Sequence, residues 1–137
     1  MGMRKNSNAL PARTARHVFP SQADGVTLQT GVGDWELGGM TIVVPEDYID
    51  KPFTIENIVI ESVNRPNKTF ELVLYSGEHD TERFRRRFVV NSASQGSFSL
   101  LGDVFKFPAD AGVKARLAVQ GGKLKIAVIS LQYDKKG

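Results

Sequence analysis

The most concentrated group of side chains that could do chemistry lies in one short loop. Residues 78–82 read Glu-His-Asp-Thr-Glu and place an imidazole among three carboxylates. Such a set could hold a cation or act as a general acid or base. The loop lacks the alternating ligands and the glycine of a dedicated calcium loop, and His17 is the only other histidine. We therefore predict a polar turn here, and we expect no metal, no cofactor and no catalytic residue.

The strongest charged pattern follows directly after this loop. Residues 83–88 read Arg-Phe-Arg-Arg-Arg-Phe. On a strand, Arg83, Arg85 and Arg87 (the arginine stripe) would line one face at a repeat of about 6.8 Å, which suits a row of carboxylates or phosphates. Nucleic-acid binding would need more basic surface and exposed aromatic rings, so we expect no nucleic-acid partner. Two roles stay open: an interface with another protein, or a salt-bridged surface paired with Glu71 on a neighbouring strand.

Two further patterns resemble binding motifs but have simpler structural explanations. An exposed tryptophan can stack on a sugar, as in carbohydrate-binding sandwiches. For Trp35, the only tryptophan, alternation with Leu37 and the apolar run 40–44 favour a core or interface position. The glycine pairs Gly38-Gly39 and Gly121-Gly122 precede no predicted helix, so we interpret them as turns or bulges and not as phosphate cradles.

The elements that must position these residues are strands. From Val18 onward, short runs of alternating polar and apolar residues are separated by turn residues, at the spacing of a sandwich or barrel. The predicted strands are 15–19, 26–30, 35–44, 53–63, 69–76, 83–91, 97–107 with a break at 102–103, 113–120 and 124–133, with a short turn at 46–50. No βαβ unit can be assembled, so we predict an all-β, antiparallel fold of about eight or nine strands.

Three of these strands carry informative patterns. Gly121-Gly122 separates 113–120 from 124–133 and supplies the positive φ of a primed turn, so we predict that these two strands pair as a hairpin. The second of them is apolar on both faces, which is typical of a central strand covered on both sides. In 83–91 the alternation turns Arg86 inward, unless a bulge re-aims it or the strand end is open to solvent or a partner.

Length and composition limit the remaining possibilities. A chain of 137 residues forms one domain that buries roughly two-thirds of its unfolded surface. The absence of cysteine excludes disulfides and thiolate zinc sites. No stretch reaches the length of a membrane span, and the N-terminus lacks the apolar core of a secretory signal. We therefore expect a soluble protein, or one held by other proteins, with no membrane partner.

The positive charge of the chain is confined to its N-terminus. The net charge is +3, but residues 1–23 contain Arg4, Lys5, Arg13 and Arg16 and no acid, which leaves the remainder at −1. A basic, polar leader with few large apolar residues cannot order itself. We predict a flexible basic arm over 1–17 and a sandwich domain over 18–137. A merely frayed terminus is the alternative.

Three segments near the C-terminus share a pattern of small and apolar residues: 96–108, 113–122 and 127–133. A short polar strand leads to an apolar strand ending in proline, and the last strand ends in Ser-apolar-x-Tyr. This pattern resembles the closing half of small jelly-roll proteins of tailed-bacteriophage virions. The resemblance implies a jelly-roll β-sandwich and a non-enzymatic capsid decoration (cement) protein. It also implies a homo-oligomer, trimer or dimer, bound to the major capsid protein on the virion surface and made in the bacterial cytoplasm.

A basic arm beside a neutral sandwich suits a clamp that orders only on a partner. We predict that residues 9–19 dock on a neighbouring subunit or on the capsid, with arginines meeting acidic groups and apolar residues as anchors. The candidate partner-binding residues are Leu10, Arg13, Arg16, Val18, Phe19, Arg83, Arg85 and Arg87. The alternatives are a carbohydrate-binding or host-attachment module, or a tail or fibre component, with the same fold. A hydrolase or lyase is disfavoured because the histidine cluster of metal-binding cupins is missing.

Overall fold

The structure is a computed structural model, and it describes residues 17–20, 25–65, 67–89, 94–99 and 106–135. These residues form ten β-strands. The strands are β1 His17–Phe19, β2 Val26–Gln29, β3 Thr41–Val44, β4 Phe53–Val63, β5 Thr69–Ser76, β6 Thr81–Val89, β7 Ser94–Ser99, β8 Lys106–Phe107, β9 Val113–Val119 and β10 Ile126–Lys135. A helix long and apolar enough to cross a membrane does not occur in this part of the chain.

The strands form two antiparallel sheets. One sheet has four strands in the order β3-β9-β5-β6. In the six-stranded sheet, β10 pairs with β4 along one edge and with β1 and β2 along the other, and the far edge of β4 pairs with β7 and β8. Eight of these strands follow the double-sheet jelly-roll order found in viral capsid and lectin domains. The predicted all-β jelly-roll sandwich is therefore confirmed.

The predicted C-terminal hairpin is wrong. Gly121 and Gly122 have the expected positive φ, 86° and 72°. However, β9 pairs with β5 and β3, whereas β10 pairs with β4, so the glycine turn carries the chain from one sheet to the other. A glycine pair with positive φ does not require the strands on either side of it to pair with each other. β9 and β10 instead contribute buried side chains such as Leu117 and Ile129 from the two sheets.

Most strand positions agree with the sequence, and the differences have local causes. The strands 53–63 and 69–76 have the predicted bounds, and the turn at 46–50 is present. The predicted strand 35–44 begins only at Thr41, as β3. Trp35 has a left-handed φ of 57°, which a strand does not allow, and Gly38 lies against the backbone of Gln29. The predicted strand 97–107 is two strands, β7 and β8, and residues 100–105 between them lie outside the described part.

Alternate side chains of the central strands fill the space between the sheets. The largest fully buried side chains are Phe53, Phe70, Phe107, Leu28, Ile49, Ile55, Ile58, Ile60, Leu72, Leu74, Leu117 and Ile129. Phe53 stacks on Phe107 with ring centroids 5.0 Å apart, and Tyr133 meets Phe53 edge-on at 5.8 Å. Full burial of one such side chain stabilises the fold by about 1.5–3 kcal/mol, so this layer holds the sheets together.

Candidate partner-binding surfaces

The arginine stripe lies on the outer face of the four-stranded sheet, along its edge strand β6. In the register between β5 and β6, Glu71 is opposite Arg87 and Val73 is opposite Arg85. A register shift between Leu74 and Tyr75 leaves Arg83 as the extra residue on β6. Its Nε donates to Ser76 Oγ at 2.9 Å. The bulge therefore changes the direction of the third arginine and separates it from the other two.

The Glu71 carboxylate binds the other two arginines of the stripe, Arg85 and Arg87. Arg87 Nε donates to Glu71 Oε1 at 2.8 Å, and Arg85 Nη1 donates to Glu71 Oε2. Arg85 also donates to both carboxylate oxygens of Glu82, at 2.9 and 3.1 Å. The Glu71 side chain is only 12% exposed, and the hydrogen bond from Arg87 lowers the pKa of its carboxyl despite this burial. The salt-bridged surface predicted for the stripe is present, and its role in binding a partner stays a prediction.

Trp35 stacks on Arg87, at one end of this group of ion pairs. The Arg87 guanidinium lies 3.8 Å from the centroid of the indole ring, which is a cation–π contact. The backbone N–H of Trp35 donates to Val119 O at 3.0 Å and fixes the residue beside β9. Trp35 is half-buried and lies outside the core. Of the two positions predicted for it, the core position is therefore wrong, and the interface position stays a prediction. One face of its ring is covered by an arginine and is not available for a sugar.

Arg86 does face inward, and its position at the sheet edge explains how it is tolerated. Its Cζ lies 5.8 Å from the centroid of the Phe84 ring, and the residue is half-buried. The bulge is at Arg83, so it does not re-aim Arg86. Because β6 is an edge strand, the long side chain can lie over the apolar Phe84 ring and stay partly exposed to solvent.

The acidic loop before the stripe is a polar turn, as predicted. Asp80 pairs with Lys114 Nζ at 2.9 Å, and Glu82 is bound to Arg85. Glu78 and His79 are exposed and lie 4.0 Å apart. In the part of the chain that the structure describes, no group of three or more histidine or carboxylate side chains is arranged to hold a metal ion.

The described part of the N-terminal region belongs to the sandwich. β1 pairs with β10, with His17 opposite Tyr133 and Phe19 opposite Leu131. The rings of His17 and Tyr133 stack at 5.0 Å, and the Phe19 ring lies 4.3 Å from Tyr48. Phe19 thus packs against its own domain, whereas Val18 is exposed. The other predicted arm residues, Leu10, Arg13 and Arg16, lie outside the described residues.

Sequence reasoning missed three exposed apolar side chains near β3. On β3 and in the segments that flank it, Met40, Ile42 and Tyr48 are exposed. The run 40–44 reads as a buried strand, and only the pairing of Ile42 with Lys114 on the outer face shows that Ile42 points to solvent.

Comparison with known proteins finds distant matches among solved structures. No protein-family model matches it, and no curated protein matches it. Three solved structures with a similar fold are as follows. The insecticidal delta-endotoxin Cry8Ea1 from Bacillus thuringiensis has 13% identity and a TM-score of 0.46 over 83% of this chain and 20% of that one. The VP2 subviral particle of infectious bursal disease virus has 11% identity and a TM-score of 0.47, and the match covers 92% of this chain and 34% of that chain. The structure of tomato aspermy virus has 9% identity and a TM-score of 0.42, and the match covers 96% of this chain and 82% of that chain.

This chain therefore spans about a fifth of the toxin's length and about a third of VP2.

Proposed function

We propose that the protein is a non-enzymatic structural component of a virus particle, and in particular a capsid decoration or cement protein. One observation carries this proposal: a nearly neutral jelly-roll body follows a segment, residues 1–16, that contains four bases and no acid. That segment joins the body at the edge of a sheet, through β1. The sequence resemblance to jelly-roll virion proteins supports the same function.

The charged side chains of the body support a scaffold role. Glu71, Arg85 and Arg87 are bound to one another, and Trp35 is stacked on the same group. These contacts pair Arg85 and Arg87 with carboxylates on the outer face of the four-stranded sheet. A rigid body can place a binding segment in many copies at fixed spacing, and weak contacts are then multiplied by symmetry and avidity.

The finer proposal concerns partners. The major capsid protein is the binding partner, and the protein itself is a homo-oligomer, a trimer or dimer, on the capsid surface. Arg13 and Arg16 meet acidic groups of a neighbouring subunit or of the capsid, while Leu10 and Val18 add apolar contacts. The basic segment orders on binding, so each contact is weak alone and specific only in the assembly.

Particle association tests the proposal. Particles purified from the cells that make the protein should carry it through a density gradient at a fixed ratio to the capsid protein. In the full-length chain, the double variant Arg13→Glu/Arg16→Glu should lower occupancy roughly tenfold, because two favourable charge contacts become repulsive. The control Lys68→Glu/Lys106→Glu makes the same charge change on exposed body residues and should have little effect.

Two results would contradict the proposal. The first is complete absence of the protein from such particles. The second is binding to a glycan array that is lost in Trp35→Ala, without particle association, which would establish the carbohydrate-binding alternative. The Arg87 guanidinium over the Trp35 ring argues against that second result.

A further inference from the structure

The two arginines of the stripe that lie together, Arg85 and Arg87, differ in how much of each guanidinium group is already bound. Arg85 donates from Nε and Nη2 to Glu82 and from Nη1 to Glu71, so all of its side-chain nitrogens are used. Arg87 donates only from Nε, to Glu71. In the part of the chain that the structure describes, its two Nη nitrogens have no hydrogen-bond partner. Because the side chain is 59% exposed, Arg87 presents the outer end of its guanidinium group to solvent.

Two contacts fix the orientation of the Arg87 guanidinium group. Its Nε is bound to Glu71 Oε1 at 2.8 Å, and the Glu71 side chain is only 12% exposed. Its Cζ lies 3.8 Å from the centroid of the Trp35 ring. A guanidinium group can hold a carboxylate through two parallel N–H···O bonds, and less entropy is lost when the group is oriented beforehand. Arg87 is therefore a pre-oriented receptor for one carboxylate.

Trp35 is itself held in an unusual conformation. Its φ of 57° lies in the left-handed region, which bulky residues rarely adopt. The acids on either side of it hold the loop: Asp34 Oδ1 accepts from the Gly121 N–H at 2.6 Å, and Glu36 Oε1 accepts from the Gly33 N–H at 2.8 Å. Conformations of this kind persist where the surrounding structure holds them, and they are common at binding sites. The loop therefore keeps the Trp35 ring stacked on Arg87.

An exposed apolar side chain lies beside Arg87 on the same face. Val89 follows two residues later on β6, about 7 Å away, and is 51% exposed. The residue opposite Val89 is Thr69, as Glu71 is opposite Arg87. We call Trp35, Arg87 and Val89 the Trp35–Arg87 surface. Tryptophan and arginine are the residue types that most often carry the binding energy of protein interfaces, and an apolar neighbour suits the same use.

The charge of this outer face leaves room for one more acid. Apart from Arg83, at the bulge, four bases project from the face, and three acids pair with them in the described part of the chain. The bases are Arg85, Arg87, Lys114 and Arg116, and the acids are Glu71, Glu82 and Asp80. Arg116 donates to backbone oxygens, Gly38 O at 2.7 Å and Leu37 O at 3.4 Å. One positive charge remains, which matches one carboxylate, whereas nucleic-acid binding needs many phosphate contacts.

We propose that the Trp35–Arg87 surface binds an aspartate or glutamate side chain of the capsid protein. The carboxylate accepts two hydrogen bonds from the Nη nitrogens of Arg87, and an apolar side chain next to it packs on Val89. This inference rests on the proposed function. It adds a contact of the sandwich body to the contacts of residues 1–16, and it assigns that contact to Arg87 and not to Arg85.

Particle occupancy of two full-length variants tests the proposal. Arg87→Lys keeps the positive charge beside Glu71 but removes the planar group that binds a carboxylate in two places. It should lower occupancy about fivefold or more in the density-gradient measurement. Arg85→Lys is the matched comparison, because it makes the same change at the arginine whose nitrogens are all used within the chain. Its effect on occupancy should be less than about twofold, even where its Tm falls as much as that of Arg87→Lys.

Photo-crosslinking in assembled particles gives a second readout that does not depend on stability. Benzoylphenylalanine is placed at Val89 or, as the control, at Ile42. Ile42 is 59% exposed on the same outer face, but it is opposite Lys114, whereas Val89 is opposite Thr69, whose carbonyl binds the Gln120 N–H. These positions differ by about 20 Å along β9. Position 89 should crosslink to the capsid protein about fivefold more than position 42, in a segment that contains an aspartate or glutamate.

Three results would overturn the inference: equal loss of occupancy in Arg85→Lys and Arg87→Lys, unchanged occupancy in Arg87→Lys, or no crosslink from position 89 to an acidic segment of the capsid protein. If occupancy still depends on Arg13 and Arg16 in any of these cases, the N-terminal segment alone binds the particle and the proposed function stands. Absence of the native protein from particles would instead refute the proposed function itself.

Discussion

The Glu71 carboxylate should be the most stabilising charged group on the outer face of the four-stranded sheet. It is nearly buried and accepts hydrogen bonds from Arg85 and Arg87. A hydrogen bond to a charged group contributes about 1.5–3 kcal/mol. Glu71→Gln weakens two such bonds, but the arginine side chains are 43% and 59% exposed, so water replaces part of the loss. The expected decrease in the free energy of unfolding is about 1–2 kcal/mol.

The matched control is Glu82→Gln. Glu82 also binds Arg85, but its side chain is 44% exposed, so the same substitution should cost about 0.5 kcal/mol or less. Urea unfolding followed by far-UV circular dichroism measures both values, with Trp35 fluorescence as a second probe. For a domain of this size, the Glu71→Gln loss corresponds to a fall in Tm of about 3–8 °C. Equal losses in the two variants would refute the reasoning.

The effect of pH gives an independent check on Glu71. Its pKa in the folded protein is lowered below the ordinary value of 4.5, chiefly by the hydrogen bond from Arg87. The carboxylate therefore stabilises the fold fully above about pH 4.5, and this contribution disappears as the pH falls through the folded pKa. The stability difference between the native protein and Glu71→Gln should be constant between pH 6 and 8 and shrink below pH 4.5. A difference that grows in acid would contradict the assignment.

The remaining predictions concern packing. A Cβ on Gly38 would lie 1.8 Å from Gln29 O, so Gly38→Ala should cost more than about 3 kcal/mol or prevent folding. Gly39→Ala, with no atom within 4 Å, should stay within about 0.5 kcal/mol of the native protein in the same unfolding measurement. Leu117→Ala removes a fully buried side chain of the sandwich and should cost about 2–5 kcal/mol, whereas Leu124→Ala, at an exposed position, should cost under about 0.5 kcal/mol. Equal Tm values within either pair would contradict the packing described here.

The fold class could be predicted because strand signals are local. Alternating apolar residues place β4 and β5 with the observed bounds. Partner choice is not local, and this is why the C-terminal hairpin prediction is wrong. The turn at Gly121 has the predicted conformation, but the pairing of β9 with β5 and of β10 with β4 depends on strands far away in the sequence.

The surfaces were predictable only in part, for the same reason. The pairing of Glu71 with the arginine stripe follows from strand register, which the sequence suggests once β5 and β6 are placed next to each other. The contact between Trp35 and Arg87 depends on the left-handed conformation of Trp35, which the alternation in the predicted strand 35–44 does not reveal. The exposure of Ile42 depends on its lying on the outer face of the four-stranded sheet, which the apolar run 40–44 does not reveal.

Cryo-electron microscopy of purified particles tests the central claim most directly. The claim is that this jelly roll functions by binding neighbouring subunits when many copies assemble. The account predicts density for the two-sheet body on the outside of the particle, with residues 1–16 ordered against a neighbouring subunit. A particle map and mass spectrum without this protein would contradict the account.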